Sequence, residues 1–532
     1  MSAAVKLNDE QMRRFVCDGF LVLDSIEDKM FHQVVVDKLQ YLNAHEPDIR
    51  NNVLPRISEL QRVLDAPQIR GAIESILGPD FMLHPHRLST PGEPLPPERR
   101  QLKLSDDVNG PPVGEGSKGF TVWHKDKLGR TRYHTPRFLY LFYFPQDTPI
   151  KRGPTRVIPG SQYYDHLTKE DYPFAYVPDQ LTAGSCILTS TDIDHAGMTN
   201  VTDQTRNMIK FNFIRTRNPG GPSWDGGQTD WRNPEKYSGR YKHEEAWSYI
   251  WDWLRGHREQ KSPPFEDIQK LISGLNSTNQ AKRLHCIYAL GSMGDKAVEP
   301  LITSLEKFGG HDLMDPINFS KNAEGGFEPV GDIFERRWAI GAYTVQDESF
   351  ALACLGDCAV DPLIDLLDNE DDWLVINAAF ALGEIGTHAA RGIPKLSGLL
   401  RSSDPHVVKA ILEAIACIGS NTAAALLEIS RLLYCSSEEL GLTDAPEHFG
   451  TDSIHYNAVY ALLLSDLDIE DIEDLLIYLL KASTTSGRVA ALALEILVRK
   501  GSTRGRRQAI EYLQAHRWDD SGWPPEIREK TT

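Results

Sequence analysis

The sequence predicts an α+β multidomain chain in which a β-strand domain entered through helices is followed by an all-α solenoid. Between Phe81 and Arg215 the apolar runs are short, rich in Val, Ile, Phe, Tyr and Thr, and broken by Gly and Pro. From about Phe265 onward strand signals vanish and an apolar pattern recurs at a short period. A length of 532 residues, at roughly 150 per domain, also requires more than one core.

In chain order, Leu7 to Gly78 has helical spacing, so helices precede and buttress the sheet. Strands are expected at Arg137–Phe144, Thr155–Ile158, Ser185–Ser190 and Asn207–Arg215. In the last, Ile209, Phe211 and Phe213 alternate with Met208, Lys210 and Asn212, which puts one face on a core and the other on a polar cavity or solvent. Residues 219–264 hold Trp224, Trp231, Trp247, Trp251 and Trp253, five of the ten tryptophans, and read as a packed bridge. Beyond it, helix-ending glycines fall at Gly294, Gly356, Gly386 and Gly419, in steps of 62, 30 and 33. The first step is two periods, with a segment from Gly309 to Gly331 inserted. Helix pairs that cannot bury their faces alone stack into an α-solenoid, and the pattern resembles HEAT repeats. The expected divisions are 1–218, a bridge at 219–264, a solenoid at 265–505 and a tail at 506–532.

Composition excludes several classes. Hydrophobic residues at 41% and charged residues at 25% are those of a soluble globular protein. A net charge of −18 repels nucleic acid and anionic lipid. The start, MSAAVKLNDEQMRRF, has no apolar stretch, and no long uncharged apolar run follows, so no export signal or membrane anchor is expected. Seven scattered cysteines suit reduced thiols in a cytoplasm. Cys354 and Cys358, four apart on a helix, read as core residues rather than metal ligands.

Chemistry centres on His124-Lys125-Asp126. Three H-x-[DE] pairs occur, no more than chance supplies: His124/Asp126, His243/Glu245 and His257/Glu259. Only the first lies among strands; the other two are expected on solvated faces of the bridge. Residues i and i+2 on a strand share a face, so His124 and Asp126 can hold one metal. His195, after the strand Ser185–Ser190, completes a two-histidine, one-carboxylate set of the kind non-haem iron oxygenases use. Arg206, eleven residues later, can grip the distal carboxylate of a dicarboxylate whose 2-oxo acid end chelates the iron.

Four fragments in this order, Gly19-Phe20-Leu21-Val22-Leu23, Trp123-His124-Lys125-Asp126, Gly153-Pro154-Thr155-Arg156-Val157-Ile158-Pro159-Gly160-Ser161, and His195 with Arg206, make residues 7–218 resemble the phytanoyl-CoA dioxygenase family. The resemblance implies a double-stranded β-helix, or jelly roll. It also implies Fe(II) on His124, Asp126 and His195, and 2-oxoglutarate on Arg206. Lys125 stands where family members often have Gln, and Ser89-Thr90 where they often carry Lys. Lys125 is therefore expected as a substitute cofactor contact. Asp126 argues against halogenation, because halogenases of the family carry a small residue there.

His84 and His86 are expected as structural histidines. The basic run Lys125, Lys127, Arg130, Arg132 and Arg137 is either a solvated face or a grip on an anionic substrate. The expected function is an Fe(II)- and 2-oxoglutarate-dependent dioxygenase that hydroxylates a C–H bond of a small organic molecule. The alternatives are a protein or peptide hydroxylase that docks its substrate on the solenoid, and a non-catalytic binding scaffold.

Overall fold

The computed structural model describes residues 3–24, 27–46, 50–100, 123–126, 132–164, 167–168, 170–257, 266–309, 318–321, 327–330, 337–339, 342–436, 439, 454–482 and 485–516. Helices come first: α1 (Asp9–Asp18), α2 (Lys29–His45), α3 (Val53–Arg56), α4 (Leu60–Leu64) and α5 (Pro67–Leu77). In α1 the Asn8 side chain accepts from the Gln11 amide while the Gln11 side chain answers the Asn8 amide, so a reciprocal cap fixes where the helix starts.

Nine strands follow or interleave: β1 (Phe20–Asp24), β2 (Met82–Ser89), β3 (Phe138–Tyr143), β4 (Thr148–Pro149), β5 (Thr155–Val157), β6 (Gln180–Leu181), β7 (Ser185–Ser190), β8 (His195–Gly197) and β9 (Ile209–Ile214). Five form one antiparallel sheet in the order β1-β7-β3-β9-β2; β5 pairs with β8 and β4 with β6. The register puts Leu141 opposite Leu188 and Phe211 on the sheet's outer face, where they join the main core. Tyr140 lies opposite Thr189 and Asn212, and Phe142 opposite Ile187 and Lys210, on the other face. That face has its own apolar cluster, including Tyr140, Phe142, Phe144, Ile187 and Met208. The expected alternation along β9 holds, and the polar partners Lys210 and Asn212 are buried rather than exposed.

The bridge is packed. Trp224 meets Trp251 at 4.9 Å and Trp231 meets Trp251 at 5.7 Å, with Arg13 of α1 over the Trp251 ring at 5.3 Å. Burying such rings contributes about 1.5 to 3 kcal/mol each. His243, expected on a solvated face, is buried beside Tyr164, because the helix Glu244–Leu254 turns its tryptophan side inward. Glu259 lies outside the described residues.

The remainder is helical and includes the repeat glycines, all four at positive φ between 62° and 72°. At Gly386 and Gly419 the following amide or turn lets the chain leave a helix in a conformation an L side chain resists. Helices Gln280–Gly291, Asp347–Leu355, Asp372–Ile385, Pro405–Ile418, Ile454–Leu464 and Gly487–Lys500 pack in succession as one row. A second row backs them. Strands do occur here, contrary to the expectation: within the insertion Asn318–Lys321 pairs with Phe327–Val330, and just past it Arg337–Ala339 pairs with Ala342–Thr344. One apolar cluster runs from α1 through the outer sheet face and the bridge into the row. No helix among the described residues is long and apolar enough to cross a membrane.

Candidate metal centre

His124 and His195 face each other across an isolated antiparallel bridge, each amide donating to the other's carbonyl at 3.1 and 3.0 Å. Their rings lie 4.4 Å apart. Asp126 reaches back so that Oδ1 is 3.8 Å from His124 Nε2 and Oδ2 is 3.8 Å from His195 Nε2. One ligand atom from each residue falls within 4.8 Å of the other two. The structure thus gathers a neighbouring pair and a third residue 69 positions on into a donor set of two imidazoles and one carboxylate, which suits a divalent iron.

The protonation states fit. His195 Nδ1 lies 3.2 Å from the Ile193 carbonyl, which can only accept, so Nδ1 carries the proton and Nε2 offers its lone pair. Burial, then the charge of His124, pushes the His195 imidazole down to about 3 against the pull of Asp126, so it is neutral near pH 7. Burial opposes ionisation of Asp126, but interactions led by the charge of Lys210, its hydrogen bond among them, outweigh it and hold the carboxyl well below the usual range.

Arg206 sits where β9 is approached, in a bridge to Gly92. A Cβ on Gly92 would come within 2.7 Å of the Arg206 guanidinium, so the residue after Pro91 has to be glycine for the arginine to lie there. Arg206 is 5% exposed, and its Nε and Nη1 have no hydrogen-bond partner among the described residues. A buried guanidinium with unused donors is costly unless an anion joins it, and 2-oxoglutarate's distal carboxylate is such an anion.

Lys125 does not join this site. Its ammonium donates to the carbonyls of Ser161 and Asp192, the latter at 2.7 Å, and pairs with Asp194 at 3.3 Å. It ties the metal-ligand segment to two loops. Of the basic run, Arg137 is buried against Glu384, and Lys127 and Arg130 lie outside the described residues. The lysine at the metal centre is Lys210, whose Nζ is 2.7 Å from Asp126 Oδ2. Sequence reasoning placed Lys210 on the polar side of β9 without naming this role; its place four residues after Arg206, on the face opposite Ile209, Phe211 and Phe213, was the available signal. His86 is also closer to the site than a structural role requires: it feels Asp126 and Lys210, and burial takes it down to about 4. His84 accepts from the His86 amide at 2.9 Å.

Comparison with known proteins agrees with this geometry. Residues 27–208 match the family model of phytanoyl-CoA dioxygenase (PhyH), and residues 360–432 that of HEAT repeats. No curated protein matches the chain. Among solved structures, the epimerase SnoN in complex with Fe3+, alpha ketoglutarate and nogalamycin RO is 18% identical, covering 39% of this chain and 83% of its own, at a TM-score of 0.30. EctD from S. alaskensis with 2-oxoglutarate and 5-hydroxyectoine is 15% identical, covering 41% and 79%, at 0.31. At such scores these likenesses add no argument, and the assignment stands on the family model and the triad. Residues 27–208 form a phytanoyl-CoA dioxygenase domain carried together with HEAT repeats, and the chain is an Fe(II)- and 2-oxoglutarate-dependent oxygenase.

Proposed function

We propose that this chain hydroxylates a C–H bond of a small organic substrate, with Fe(II) held by His124, Asp126 and His195 and 2-oxoglutarate anchored by Arg206. The observation that carries the reading is the buried guanidinium with unused donors just before β9, the strand that carries Lys210, the residue bonded to a triad member. Bound iron and 2-oxoglutarate supply the activation of dioxygen. The chain's part is to keep His195 neutral with its lone pair outward, to hold Asp126 ionised and oriented through Lys210, and to fix the co-substrate's far end. The apolar face around Phe142, whose ring is 5.3 Å from His195, keeps water from the reacting centre.

The finer fold reading takes the five-stranded sheet and the β5–β8 pair as the two sheets of a jelly roll. The divisions at 218, 264 and 505 and a cytoplasmic location, suggested by seven free cysteines, belong to the same proposal. A protein substrate docked on the solenoid is the second reading. The row of helices that would receive it already carries oxygenase residues 133–138, so such a partner would need another face. The test is succinate release from 2-oxoglutarate over a panel of acyl thioesters, amino acids, terpenoids and peptides, with His124→Ala and His195→Ala as controls. Turnover lost in both variants, with circular dichroism unchanged, is expected. Wild-type iron stoichiometry in either would overturn the triad.

A further inference from the structure

Four of the five residues Tyr133–Arg137, downstream of the metal-ligand pair, contact successive helices of the solenoid row. His134 stacks on Phe350 at 4.1 Å and bonds the Tyr288 hydroxyl at 2.8 Å. Tyr133 donates to Glu413 at 3.1 Å and its ring lies 5.7 Å from Phe380. Thr135 donates to Glu384 at 3.0 Å, and Arg137 Nε donates to the same carboxylate at 2.8 Å. Tyr133, Thr135, Arg137, Glu384 and Glu413 are all buried. A buried ion pair adds little net stability over a well-packed apolar pair, but it does fix register, because a slip leaves a charge unpaired.

This segment also touches the metal ligands' supports. The His134 ring lies 5.7 Å from Tyr163, two residues past Ser161, whose carbonyl accepts from Lys125. Lys125 stands between His124 and Asp126. Contacts therefore run from the solenoid helices through His134 to Tyr163, and from Ser161, in the same short turn Ser161–Tyr163, to the residue between two ligands.

We propose that the solenoid is part of the metal centre's support: Glu384 and Glu413, on the helices Asp372–Ile385 and Pro405–Ile418, act as positioning residues for His124 and Asp126 by holding Tyr133–Arg137 in register. The proposal rests on the triad holding the metal. It gives the repeats an intramolecular task that repeat arrays, with their open faces, do not need a second protein to perform.

The experiment uses the full chain and titrates Mn(II) and Co(II) by calorimetry, beside thermal unfolding and the visible charge-transfer band of the anaerobic Fe(II)·2-oxoglutarate complex. Glu384→Gln and the milder Thr135→Val and Tyr133→Phe should each weaken metal binding, Glu384→Gln by about 10-fold or more, and shift the band. Glu384→Asp should restore part of the affinity. Leu432→Ala, a cavity in the outer helix Leu426–Tyr434, serves as the stability control and should lower the melting temperature while leaving metal affinity unchanged. Wild-type affinity and band in all three segment variants would overturn the proposal, as would an equal loss in Leu432→Ala, which would reduce the effect to global stability. If the unaltered protein bound no metal, the triad assignment would fall, and this proposal with it.

Discussion

The inner face of the five-stranded sheet and the helix row that supports it both bury polar groups, and they do so for different ends. On the sheet, Thr189 Oγ1, both amide atoms of Asn212 and two nitrogens of Arg206 have no hydrogen-bond partner among the described residues. On the row, Glu384 and Glu413 receive donors from Thr135, Arg137 and Tyr133 of the same chain. A buried polar group left unanswered by its own chain is held for something that arrives; one answered across 247 to 280 residues of sequence is a joint.

If that distinction is right, removing the row should be the most damaging change. A fragment ending at Pro264 exposes Tyr133, Arg137 and the tryptophan core, and it should be insoluble or unfolded on expression and by circular dichroism. A soluble, fully active fragment would break the comparison outright. Next, Arg137→Ala leaves Glu384 buried without its cation and should cost about 3 to 5 kcal/mol in denaturant unfolding. By contrast Arg206→Ala should barely change stability and should instead weaken 2-oxoglutarate binding by roughly 2 to 5 kcal/mol, about 30-fold or more, with iron affinity nearly intact. Unchanged 2-oxoglutarate dependence would remove Arg206 from the site.

Acidity should separate the regions with opposite signs. Burial takes His243 in the bridge down to about 4, so its neutral form stabilises fully above pH 6.5 and that contribution is lost as pH falls toward 4. Burial raises Glu348 in the solenoid to about 7, so its protonated form stabilises below pH 4.5 and that contribution is lost as pH rises through 7. Each is worth about 3 kcal/mol at the far end of its range. Denaturant unfolding between pH 5 and 7 should show a smaller acid loss in His243→Phe and a smaller loss toward neutrality in Glu348→Gln. The smallest effect belongs to Asn212→Leu, which removes an unanswered amide and should leave stability unchanged or raise it by about 1 kcal/mol. A clear loss in that melt would mean that Asn212 serves the fold.

What was readable in the sequence divides along physical lines. That His124, Asp126 and His195 come together could be read because ligand chemistry restricts residue type and strand geometry restricts spacing, while the role of Arg206 belongs to the proposal. The solenoid could be read because glycines at positive φ recur with the helix pairs. Lys125 was misread because its partners are backbone carbonyls of Ser161 and Asp192, which no residue identity announces. Lys210 was placed on the correct face, yet its bond to Asp126 depends on β9 meeting a segment 84 positions earlier in the chain. His243 was misread for a related reason: its burial is set by Tyr164 and the tryptophans packed around it, not by its own neighbours in sequence.

The joint between Arg137 and Glu384 spans 247 positions, with the solenoid partner made last. At about 5 to 20 residues per second, roughly 12 to 50 s of translation separates the two. During that interval the strand that begins at Phe138 leaves the ribosome beside a charged, aromatic segment whose acidic seats do not yet exist. The nascent oxygenase is thus an unfinished client of its own later helices until Asp372–Ile385 and Pro405–Ile418 emerge, and on the proposed support a chain cut short before residue 384 would be unable to complete its own metal site.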